Sequence, residues 1–63
     1  MEMKEIHDKA RRVLEEGNFN LLGGMQRNDA RKELSQKFRL DKNLASGILR
    51  DMERMGSIKL KRR

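Results

Sequence analysis

The sequence predicts a mainly α-helical, single domain over residues 1–63, with three helices and a minimal two-stranded β element. Three segments space their apolar residues at the helical period, and one C-terminal segment alternates at the period of a strand. The 63 residues include neither cysteine nor proline. We therefore expect one thin core without disulfides, and no proline-rich linker divides the chain.

The first helix is predicted over residues 1–16, because apolar residues recur there at helical spacing among charged ones. These apolar residues are Met3, Ile6, Ala10, Val13 and Leu14. Gly17 and Asn18 follow, and both residue types readily take the left-handed conformation that ends a helix. The uncharged stretch 19–22 then predicts a short extended segment before a turn at Gly23-Gly24.

The second helix is predicted to be short, over about residues 29–37, with Asn28 or Asp29 as its cap. Its apolar face contains Ala30, Leu34 and Phe38 at spacing i, i+4, i+8. Leu40 lies in the connection that follows. Asp41 is predicted to cap the third helix.

The third helix, predicted over residues 42–55, has the most informative pattern. At about 100° per residue, its six apolar residues fall within one arc of about 140°. They are Leu44, Ala45, Ile48, Leu49, Met52 and Met55. The opposite face is polar and cationic. Gly56 is predicted to end the helix, and 57–61 alternates like a strand with one buried face. We expect this strand to pair with 19–22 or, failing that, between two subunits.

The net charge is +6, and the cationic surplus lies in two blocks, 27–40 and 57–63. Clustered positive charge favours a polyanion partner, because neutralised phosphates release condensed counterions. No apolar run exceeds two residues, as in Leu21-Leu22, and no signal-type apolar block follows the N-terminus. We therefore expect a cytoplasmic protein that is associated with the nucleoid if it binds DNA.

Two short helices joined by a tight turn, with a polar and cationic face on the second, are typical of a helix-turn-helix. The stretch from Glu33 to Leu60, ELSQKFRLDKNLASGILRDMERMGSIKL, resembles the winged helix-turn-helix family. The resemblance lies in Leu34 and Phe38 of the supporting helix, Leu40 of the turn, Ala45, Ile48, Leu49 and Met52 of the recognition helix, and the ending Gly56-x-Ile58. The second wing strand of that family has no counterpart in this chain.

The resemblance implies a double-stranded DNA-binding protein, such as a transcriptional regulator or a genome-binding protein. It places Lys42, Asn43, Ser46 and Gly47 toward the bases. Lysine, asparagine and serine can bond to base edges, whereas a glycine removes a reading side chain and lowers the expected specificity. The candidate phosphate contacts are Arg27, Asn28, Arg31, Arg50, Arg54, Lys59, Lys61, Arg62 and Arg63.

We expect no catalysis and no cofactor or metal. His7 is the only histidine, and no second histidine or cysteine completes a metal or nucleophile site. We interpret it as a surface residue of a charged helix.

Two other functions remain open. The stretch from Asn43 to Leu60 more loosely resembles winged-helix ribosomal proteins of the small subunit in archaea and eukaryotes, which implies an RNA partner. Five methionines, among them Met52 and Met55, permit either a soft protein-binding surface or an adaptable core. A homodimer is a further expectation, and it would present two recognition helices to major grooves about 34 Å apart.

Overall fold

The computed structural model describes residues 3–61, with the side chains of 4–61. They form three helices: α1 (Met3–Glu16), α2 (Arg27–Phe38) and α3 (Lys42–Arg54). The predicted mainly helical architecture is confirmed. Within residues 3–61, no helix combines the length and apolar character that crossing a membrane requires.

The core is built from all three helices and from the segments that follow α1 and α3. Its buried side chains are Ala10, Leu14, Met25, Ala30, Leu34, Ala45, Leu49, Met52, Ile58 and Leu60. Helix α2 packs against both α1 and α3. It therefore acts as the support on which the other two helices are oriented.

Helix α1 turns a slightly different face inward than predicted. Ala10 and Leu14 are buried, whereas Ile6 and Val13 are only half-buried. His7 is 6% exposed, so its predicted surface position was wrong. The reason is its spacing: His7 lies one turn before Ala10 and two before Leu14 on the same helix face. Neither of its ring nitrogens has a hydrogen-bond partner.

Helix α2 begins two residues earlier than predicted. Its N-cap is Gln26, and no side chain caps the helix there. The predicted caps, Asn28 and Asp29, lie inside the first turn, and Asn28 Oδ1 instead accepts a hydrogen bond from Arg31 Nη2 at 3.2 Å. The predicted apolar face is correct, since Ala30 and Leu34 are buried and Phe38 is half-buried.

A tight connection joins α2 to α3. Arg39 adopts a left-handed conformation with φ 54°. Ser35 closes the connection from both sides: its backbone oxygen accepts from Leu40 N at 3.1 Å, and its hydroxyl donates to Leu40 O at 2.6 Å. Asp41 then caps α3 as predicted, because its Oδ1 accepts from Leu44 N at 3.0 Å.

Helix α3 ends at Arg54, one residue before the predicted bound. Met55 is its C-cap, and the predicted glycine, Gly56, comes next. Gly56 has φ +82°, a left-handed conformation that glycine adopts without steric cost. Gly56 N donates to Glu53 O and Ser57 N donates to Met52 O, at 3.0 and 2.9 Å. These two bonds satisfy carbonyls that the end of a helix would otherwise leave open.

The predicted β element between 19–22 and 57–61 does not form, and residues 3–61 contain no sheet. Leu21, Leu22 and Gly23 form a turn, because Asn20 accepts from Gly23 N through its side chain and from Gly24 N through its backbone, both at 3.1 Å.

The C-terminal segment pairs mainly with Met25 instead, through one parallel bridge between Met25 and Leu60. Its backbone bonds run from Met25 N to Lys59 O at 2.9 Å, from Lys61 N to Met25 O at 2.8 Å and from Lys59 N to Leu21 O at 2.6 Å.

Candidate nucleic-acid interface

The exposed face of α3 carries most of the predicted base-facing positions. Lys42, Asn43 and Gly47 are exposed, and Ser46 is half-buried. Arg50 and Arg54, the predicted phosphate contacts on this helix, are exposed as well. The helix therefore presents amide, ammonium and guanidinium groups to solvent from its first turn to its last.

The buried arc of α3 is narrower than predicted. Ala45, Leu49 and Met52 are buried and span about 60° of the helix rather than about 140°. Leu44 and Met55, which were predicted to face inward, are 58% and 67% exposed. These two residues lie at the edge of the predicted arc.

Gly47 lies near the middle of the exposed face, between Asn43 and Arg50 on one side and Leu44 on the other. A Cβ built on Gly47 would meet no atom within 4 Å. Glycine is therefore not required at this position by any contact within the described chain. It leaves a stretch of bare helix backbone in the middle of the face.

An open groove of about 470 Å³ runs along the outer face of α2 and reaches Lys42 at the start of α3. Its lining residues are Asn28, Asp29, Arg31, Lys32, Ser35, Gln36 and Lys42. Three of these are cationic and one is anionic, so the groove carries a positive surplus. Asn28 and Arg31, predicted for phosphate, thus line the same groove as Lys42, predicted for bases. Lys32 was not among the predicted site residues, although it lies in the basic block 27–40.

The C-terminal segment adds positive charge beside the entrance to α2. Lys59 and Lys61 are exposed while Ile58 and Leu60 are buried, as the alternation predicts. The bond from Lys61 N to Met25 O holds this segment two residues before Arg27, which is also exposed. We call Arg27, Arg31, Lys32, Lys42 and Lys61 the basic surface. The predicted phosphate contacts Arg62 and Arg63 lie outside the described residues.

The described residues include histidine and carboxylate side chains, which could bind a metal ion. Within residues 3–61, no three histidine or carboxylate side chains converge as a metal site would require. The basic surface instead suits an anionic ligand through direct charge and hydrogen bonding.

In comparisons with family models, curated proteins and solved structures, none matches this chain at a significant level.

Proposed function

We propose that this protein binds double-stranded DNA as a winged-helix-like module, in the role of a transcriptional regulator or a genome-binding protein. The observation that carries the proposal is the groove between α2 and α3. Side chains that the sequence assigns separately to phosphate and to bases line this groove together. A DNA-binding protein of this kind would locate to the nucleoid.

In this proposal α3 enters the major groove with its N-terminal half. Lys42 and Asn43 reach base edges there: lysine donates to guanine O6 and N7, and asparagine pairs with adenine N6 and N7. Ser46 contributes less than the sequence suggests, because it is half-buried. Arg50 and Arg54 follow one and two turns later and approach the phosphates.

Apart from Lys42, which reads bases, the basic surface contacts the DNA backbone. Arg27, Arg31 and Lys32 lie in the first turns of α2, where the helix dipole also favours a phosphate. Lys61 adds a cation from the C-terminal segment. Phosphate contacts of this kind set affinity and orientation without reading sequence.

Gly47 fits this arrangement because bare backbone permits close approach of α3 to the groove floor. The same feature removes one side chain from the reading face. The protein is therefore expected to be semi-specific, with a moderate rather than a large preference for its best site.

Fluorescence anisotropy tests the proposal by titrating the chain into labelled random duplex DNA and into structured RNA of equal length and charge. Tighter binding to the duplex supports the proposal. Tighter binding to RNA contradicts it and favours the RNA-binding alternative. The major groove of A-form RNA is too deep and narrow for side chains to read, so a helix that reads DNA bases would not bind RNA in the same way. Binding to neither contradicts it as well and favours a protein partner, for which the exposure of Leu44 is the supporting observation.

A further inference from the structure

A second exposed surface lies at the far end of α3 from the reading half. Leu22 and Met55 are 71% and 67% exposed and line one open groove with the half-buried Phe19 and Leu21. Arg11 and Glu15 of α1 form its rim. We call these six residues the distal groove.

The distal groove concentrates the apolar exposure of the protein. Among the side chains of residues 4–61, three large hydrophobic ones are strongly exposed, and Leu22 and Met55 are two of them. Single exposed apolar residues are ordinary, but adjacent ones in a concave surface with a polar rim are typical of an interaction site. Aliphatic and thioether side chains of this kind adapt to an apolar partner.

The charges around this surface indicate which partner it takes. Its rim has one cation and one anion, Arg11 and Glu15. The adjoining groove is lined by Lys4, Asp8, Asp51 and Arg54 beside His7, and so it is also balanced. The surplus of positive charge lies elsewhere, in the groove between α2 and α3. A strongly acidic or basic partner would therefore gain little net attraction here.

We propose that the distal groove is the contact surface of a two-fold symmetric homodimer. A symmetric contact requires a surface that complements itself. Arg11 and Glu15 satisfy this requirement because they lie one helical turn apart, so Arg11 of one copy can pair with Glu15 of the partner subunit. Leu22 and Met55 then pack against the same residues of the second copy. Two chains that each carry a net charge of +6 can approach with least repulsion through such a neutral face.

This dimer leaves the proposed DNA-binding half of α3 free. Asn43 lies about 18 Å from Met55 along the helix, at about 1.5 Å per residue. Two copies joined near Met55 with their α3 helices end to end would separate their reading halves by roughly twice that length, close to the spacing of about 34 Å between successive major grooves. The spacing argument depends on the proposed function, whereas the dimer itself does not.

Sedimentation equilibrium of the pure chain without DNA tests the dimer independently of DNA binding. We expect a mass of twice 7.5 kDa at micromolar concentration. The double variant Leu22→Ser and Met55→Ser should weaken the dimer by about tenfold or more. The matched control is Leu44→Ser, which alters a comparably exposed residue at the other end of α3 and should leave the dimer unchanged. Circular dichroism checks that each variant keeps its helices.

Charge reversal provides a second measurement that does not depend on the apolar variants. Arg11→Glu and Glu15→Arg should each weaken self-association, because each creates like charges across the two-fold contact. An equimolar mixture of the two variants should dimerise, since both cross-pairs are then opposite in charge. A monomeric wild-type chain, a dimer insensitive to the Leu22 and Met55 changes, or a mixture that fails to pair would overturn the proposal.

Discussion

Gly47 occupies the middle of α3, where a glycine costs about 1 kcal/mol of stability relative to alanine. Nothing lies within 4 Å of the position that a Cβ would take, so the protein itself does not need the glycine there. Gly47→Ala should therefore raise the free energy of unfolding by about 1 kcal/mol, measured by urea denaturation. It should at the same time weaken binding to duplex DNA, because the methyl group stands between the helix backbone and the groove.

The matched control is Gly56→Ala. Gly56 also has open space around its Cβ position, but its φ of +82° is strained for any other residue. We therefore expect the opposite sign, a loss of stability of about 1 kcal/mol. If both variants lose stability, the bare backbone of α3 has a structural role, and our explanation of Gly47 is wrong.

His7, like Gly47, is a residue that lowers the stability of the fold. Its imidazole is buried and neither nitrogen has a hydrogen-bond partner. His7→Leu should raise the free energy of unfolding by about 1 kcal/mol, because it removes an unsatisfied polar group while keeping a side chain of similar size. Thermal and urea unfolding measure the change.

His7→Gln serves as the control, because it keeps polar atoms in the same buried position and should give no such gain. A loss of stability in His7→Leu would show that the imidazole makes an interaction the fold depends on. The burial of His7 could not be predicted from residue type. Histidine occurs on buried and on exposed helix faces alike. The predicted apolar face of α1 was centred closer to Ile6, whereas the observed buried face includes His7.

The helices could be predicted closely because burial along a helix follows a period that the sequence itself displays. The Asp41 cap and the left-handed ends at Asn18 and Gly56 could also be predicted, since they depend on side-chain chemistry within a few residues. The strand pairing could not. Asn20 uses its side chain to close a turn, and the partner of 57–61 is chosen by three-dimensional packing that leaves no repeating pattern in the chain.

The exposed face of α3 was predicted only in part, because its extent also depends on three-dimensional packing. The period shows which residues share a side, but not how wide a strip the neighbouring elements cover. Here they cover Ala45, Leu49 and Met52 and leave Leu44 and Met55 outside. The width of the strip depends on where α2 and the C-terminal segment lie.

Helix α3 and the C-terminal segment should respond differently to mutation. Asn43→Ala removes a base-reading amide, so it should reduce the difference in affinity between preferred and random duplexes while leaving binding to random DNA nearly unchanged. The double variant Lys59→Ala and Lys61→Ala removes phosphate contacts, so it should weaken both duplexes equally. Competition anisotropy with the two duplexes measures both effects. Identical behaviour of the two variants would contradict the assignment of bases to α3 and phosphates to the segment.

The charge of the protein is unevenly distributed in three dimensions, and this distribution connects the two proposals. Cations of α2 and the start of α3 line one groove, and Lys61 lies beside the start of α2, while the groove at the far end of α3 is apolar and balanced in charge. The base-reading residues and the second copy of the chain would thus lie at opposite ends of the same helix. The clustered charges could be predicted from the sequence, but their meeting at one groove depends on the tertiary fold.

The dependence of DNA affinity on salt tests the DNA-binding account most directly. If the basic surface without Lys42, together with Arg50 and Lys59, neutralises about four to six phosphates, the logarithm of the binding constant should fall against the logarithm of salt concentration with a slope of about −4 to −5. Anisotropy titrations of random duplex DNA over a salt series measure this slope per bound chain. A flat response would contradict the account, because binding that releases no counterions cannot depend on phosphate contacts.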